Sequence, residues 1–114
     1  MTEITREMTA VEANVLNLIA NKGTYEEPVK ARRIKETIGL SKRGLEEIIE
    51  TLRVLYKHPI VAKKTQPSGY YIPRNEKERM AGTAPYRKQI LTEQNNLAAV
   101  MSVDLNEYWK GKTA

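Results

Sequence analysis

Lys42 and Arg43 stand directly behind Ser41, while Lys30, Arg32, Arg33 and Lys35 crowd the segment upstream and Lys63, Lys64 and Gln66 follow downstream. Side chains of these types hold phosphate. Ammonium and guanidinium groups neutralise it, the free amides of a helix start add to the attraction, and an arginine fork such as that of Arg43 can read a guanine edge. Residues 30–64 contain ten Lys or Arg against four Glu, a local excess of six that is larger than the formal +5 of the whole 114-residue chain. The partner this implies first is a polyanion, with double-stranded DNA as the specific expectation. Arg53 and Lys57 fall further along the same segment, beyond the reach expected for one duplex.

The remaining chemistry-bearing residues point away from catalysis. Glu46 and Glu50 are four apart and so share a helical face, but nothing around them would make one an acid and the other a base. With Glu47 they read as a solubilising or partner-selecting face, and contact with cytosine amino groups is the weaker use. His58 has no cysteine, second histidine or acidic set at ligand spacing, so a structural histidine is expected rather than a metal ligand. The glycines match neither a P-loop nor a dinucleotide-binding pattern. No catalytic residue, metal or cofactor is expected, and no enzyme reading follows.

Composition bounds the elements that position these side chains. A chain of this length fits one domain with an additional helix outside the main core. It lacks Cys and Phe, so the core must be Ile, Leu and Val, without disulfides. The opening residues have no signal-peptide pattern, and no apolar run approaches the roughly 18 to 20 residues that span a bilayer. A soluble, cytoplasmic protein without a membrane partner is expected.

Thr9 and Glu12 have capping-box spacing and predict a helix over residues 10–20, with Val11, Val15, Leu18 and Ile19 as its apolar stripe. Gly23 and Pro28 break the chain, and Val29 is placed to touch a later hairpin. A second helix over 31–37 buries Ala31, Ile34 and Ile38 and ends at Gly39 in a left-handed cap. Leu40 plugs the turn, Ser41 caps a third helix reaching about residue 56, and Leu45, Ile48, Ile49, Leu52 and Leu55 form its buried side. Residues 59–64 and 69–72 read as two strands around Thr65-Gln66-Pro67-Ser68, with a register the alternation leaves open. Tyr70 and Tyr71 should split between core and surface. The fold class expected is mainly α with a small β-hairpin: a winged helix-turn-helix core over residues 1–78, with a flexible N-terminus, and a helical extension over 79–114.

In the extension, Gly82-Thr83-Ala84-Pro85 should interrupt the helical pattern, with Thr83 capping a main helix over 84–102. Met80, Tyr86, Ile90, Leu91, Leu97, Val100, Met101 and Leu105 are its apolar positions. Either Leu91, Leu97, Val100 and Met101 cover the first helix within one subunit, or Tyr86, Ile90, Leu91, Leu97, Val100, Met101, Leu105 and Trp109 form the interface of a homodimer. Residues 104–109 either extend the helix or make a separate turn, and residues 111–114 should be loose.

The stretches VKARRIKETIGLSKRGLEEIIETLR, IVAKK and GYYIPRNEKE, within residues 9–78, resemble the small winged-helix proteins of bacteriophages and prophages. The resemblance implies that residues 41–56 enter a DNA groove while Lys63, Lys64 and the tip from Gln66 to Ser68 approach the backbone. It also implies a regulator of transcription or a replication accessory factor. The competing expectation, motivated by the acidic stripe and the Tyr-rich hairpin, is an interaction module that recruits a replication or host protein.

Overall fold

The structure, a computed structural model, describes residues 7–111. The expected flexible N-terminus lies mostly outside those residues, as does the loose tail apart from Gly111. The chain is mainly helical with a small antiparallel hairpin, and its contacts divide it into one unit ending at Thr83 and another beginning at Ala84.

Helix α1, Ala10–Lys22, begins on the capping box: the Glu12 amide donates to Thr9 Oγ1 at 3.1 Å and the Thr9 amide donates to Glu12 Oε1 at 2.9 Å. Val15 and Ile19 are buried and Leu18 is half-buried, but Val11 is 41% exposed. Glu12, folded back on the Thr9 amide, is the residue the first turn buries. The helix runs two residues past its expected end. It stops at Gly23, where a Cβ would lie 2.7 Å from the Tyr70 carbonyl oxygen and 2.8 Å from that of Ile19. A bare backbone therefore lets the end of α1 approach the hairpin.

Helix α2, Ala31–Ile38, closes at Gly39, whose φ of 82° is the left-handed cap expected there. Helix α3, Lys42–Val54, starts on Ser41, whose Oγ accepts from the Gly44 amide at 3.0 Å. Ile34, Leu45, Ile49 and Leu52 join Val15 and Ile19 in one core, with Ile48 and Leu40 packed partly against it. The three helices all touch one another. Leu55 departs from expectation at 38% exposed, because the helix has already ended and the backbone reverses at Lys57, φ 62°. Tyr56 enters the core in its place.

Strands β1, Val61–Lys63, and β2, Gly69–Tyr71, pair antiparallel with Val61 opposite Tyr71 and Lys63 opposite Gly69, the register that alternation alone left open. Val29 and Tyr70 exchange two backbone hydrogen bonds of 2.8 Å, which makes the expected contact with the hairpin. Tyr71 is fully buried, whereas Tyr70 is half-buried and packs against the core rather than being exposed.

Helix α4, Glu76–Ser102, is continuous through the expected interruption. Asn75 Oδ1 accepts from the Glu78 amide at 2.9 Å and so caps the helix. The Thr83 hydroxyl caps nothing; it donates to the Arg79 carbonyl at 2.8 Å. Pro85 has no amide for the carbonyl of Ala81, and that residue is exposed, so water can take the place of the lost bond. Gly82 is a packing residue rather than a breaker. It is buried, a Cβ there would overlap the Tyr71 hydroxyl, and that hydroxyl donates to the Glu78 carbonyl at 2.7 Å.

Beyond Thr83 no apolar residue is fully buried among the described residues. Ile90, Leu91, Leu97, Val100 and Met101 are between 56% and 73% exposed, and Leu105 and Trp109 are exposed as well. Met80, earlier in α4, is also exposed, while Tyr86 is half-buried. A separate helix α5, Leu105–Lys110, starts on Asp104, whose Oδ1 accepts from the Glu107 amide at 3.1 Å. Among the described residues no helix is long and apolar enough to cross a membrane.

Candidate nucleic-acid interface

The cations at the two helix starts are on the surface. In α2, Lys30 occupies the N-cap position without a side-chain cap, and Arg32 and Arg33 follow it, exposed, with no acidic residue in the first turn. In α3, Lys42 and Arg43 are exposed and the first turn again has no acid. Ser41 already accepts from Gly44, so its hydroxyl proton is what it can still offer a ligand. The first amides of each helix have no acceptor within it and carry the positive end of the helix dipole, which reinforces the attraction these side chains exert on an anion.

Two of the arginines carry acidic partners one turn later. Arg32 Nε lies 3.4 Å from Glu36 Oε2, and Arg43 Nε lies 3.1 Å from Glu47 Oε1. Both pairs are solvent-exposed, worth about 0.3–0.5 kcal/mol each, and weak enough for phosphate to displace. They also orient each guanidinium along its helix. Lys35 is half-buried, which leaves it the least accessible of the α2 cations.

The hairpin separates two adjacent lysines. Lys64 and Gln66 are exposed toward the tip, but Lys63 is only 8% exposed. Its Nζ donates to the Tyr25 carbonyl at 2.8 Å and sits 4.0 Å from the centre of the Tyr25 ring. Lys63 thus ties the loop before α2 to β1 and is not presented to a ligand. The signal was present in the sequence: residues two apart on a strand share a face, and Val61 belongs to the buried face. Arg53 is similarly occupied, its Nε donating to the Ile60 carbonyl at 2.8 Å.

The exposed side of α3 changes character along its length. After Lys42 and Arg43 come Glu46, Glu47 and Glu50, all exposed, and then a shallow concavity lined by Glu47, Glu50, Thr51, Val54 and Leu55. Sequence reading found the acidic stripe but not the apolar floor, because Leu55 was expected in the core. His58 is half-buried, and among the described residues no group of three or more His, Cys, Asp or Glu is placed to hold a metal ion.

Residues 84–111 carry Arg87, Lys88 and Lys110 against Glu93, Asp104 and Glu107, so the chain's formal +5 lies entirely outside them. No protein-family model matches the chain, and neither the curated proteins nor the solved structures contain a match to it.

Proposed function

We propose that α2, its turn, α3 and the hairpin form a winged helix-turn-helix that binds double-stranded DNA, in a phage or prophage regulator of transcription or a replication accessory factor. One observation carries the reading: the exposed cations gather at two helix starts that lack acidic residues, while the acids of α3 begin a turn later. In this mechanism Lys30, Arg32 and Arg33 hold the phosphate backbone. Only the first turn of α3, at Lys42 and Arg43, reaches base edges, since Glu46 and Glu50 would repel phosphate along a fully inserted helix. Lys64 and Gln66 add contacts from the hairpin tip.

Selection from a random duplex library across a salt series tests this reading. Motif enrichment that persists as salt rises supports it, and failure of the purified protein to bind any duplex at low salt refutes it. Exchanging Lys42 and Arg43 for Glu should leave the fold intact, weaken duplex binding and relax the selected motif.

The concavity on α3 supports a second reading, in which the same fold recruits a replication or host protein through Glu47, Glu50, Val54 and Leu55. A partner for that surface would bring basic side chains flanking an apolar one. Loss of capture of a basic apolar peptide in a Glu50→Lys variant that still binds duplex would assign the surface to this second role.

A further inference from the structure

We propose that Glu47 is a positioning residue for base choice: it holds the Arg43 side chain by Nε and leaves the two Nη groups to take the O6 and N7 acceptors of a guanine. This role rests on duplex binding at the start of α3 and sets which base is selected there. Arg43 Nε donates to Glu47 Oε1 at 3.1 Å, and among the described residues this is the only side-chain hydrogen bond that Arg43 makes. A guanidinium carries five N–H donors in a fixed plane, so contact through Nε alone uses one and leaves the end of the fork unoccupied. That free end is the part of arginine that fits a guanine edge with two hydrogen bonds.

The acids of α3 differ in this respect. Among the described residues neither Glu46 nor Glu50 holds a cation, although Lys42 stands four residues before Glu46. Phosphate and guanine also make opposite demands on the Arg43 pair. A phosphate on the same guanidinium meets the Glu47 carboxylate as a like charge and must evict it. Guanine O6 and N7 carry no net charge, so Arg43 meets them with Glu47 still attached, and the Nε bond strengthens as the duplex excludes water. Glu47 thereby biases Arg43 toward a base and away from the backbone. Arg32 and Glu36 repeat the spacing at 3.4 Å on α2, the helix assigned to the backbone, and so supply a matched control.

Selection from a random duplex library with the full chain, read base by base, tests the role. Arg43→Lys should mark the guanine by lowering its preference at one motif position about ten-fold. Glu47→Ala should lower the preference at that same position about three- to ten-fold, the scale of immobilising one long side chain on binding, while affinity for unrelated duplex rises because an anion is gone. Glu47→Gln removes the same charge but keeps an oxygen that accepts from Nε, so it should restore most of the preference. Glu36→Ala should raise affinity for all duplexes alike and leave the motif unchanged. All four variants should melt close to the parent, since these side chains are exposed. A guanine preference that survives Glu47→Ala, or a Glu47→Gln protein that selects as Glu47→Ala does, overturns the positioning role while duplex binding stands. So does a parent whose motif has no guanine dependent on Arg43, or one that binds duplex without selecting a motif. A parent that binds no duplex at low salt ends the duplex reading and this role together.

Discussion

The unit that ends at Thr83 and the one that begins at Ala84 use the same apolar vocabulary to opposite ends. In the first, Val15, Ile19, Ile34, Leu45 and Leu52 sit on short helices whose connections return the chain at once, so each apolar face meets another and disappears from the surface. In the second, leucine, isoleucine, valine and methionine recur at helical spacing along α4, and they are exposed. Periodicity therefore identifies a face that is suited to burial. What covers it depends on the length of the helix and on the nearest turn.

The sharpest way to break this comparison is to make one substitution in both places. Leu52→Glu should abolish cooperative folding, since a buried unpaired carboxylate costs more than about 4 kcal/mol, while Leu97→Glu should leave the thermal transition of the first unit where it is. Similar melting losses in the two variants would erase the distinction. Gly82→Ala comes next. The helix gains about 1 kcal/mol of propensity, yet overlap with Tyr71 should produce a net loss of about 2 kcal/mol in urea denaturation.

A smaller effect separates the buried lysine from the exposed ones. Lys63→Met should cost about 1 kcal/mol by removing the Tyr25 contacts while leaving the salt dependence of any duplex binding unchanged, the reverse of what is expected at Lys30. The smallest effect is at Glu76. Its hydrogen bond from Arg79 holds the carboxyl below its ordinary range, and the same pairing raises the guanidinium. A depressed carboxyl stabilises only while ionised, so its contribution is present above the unfolded-state value and is lost as pH falls through the folded one. Carbon-detected NMR titration should show the Glu76 midpoint rising in Arg79→Ala, with little change in stability because the pair is fully exposed.

What the sequence made legible was chemistry between near neighbours. Thr9 with Glu12, Gly39 after Ile38 and Ser41 before Lys42 each satisfy backbone groups within a few residues, so type and spacing were enough to place three helices. Gly82 was read as a breaker because its reason, the Tyr71 hydroxyl, comes from a strand eleven residues earlier. Leu55 was assigned inward because the helical period was extended to about residue 56, past the helix end at Val54, with no glycine to announce the reversal at Lys57. In the candidate interface the basic residue types were plain. Their accessibility was not, since Lys63 is on the buried face of β1 while Lys64, just past the end of the strand, is exposed.

The contact between Gly82 and Tyr71 also bears on how this chain can change length. A helix turns by about 100° with each residue, so one residue added or removed between the Asn75 cap and Gly82 would rotate a side chain into the space that the tyrosine hydroxyl now fills. That span is fixed in length as well as in composition. Insertions and deletions are confined to places where backbone spacing is not gauged by a neighbour, and the exposed tip of the hairpin, at Thr65 and Gln66, is such a place.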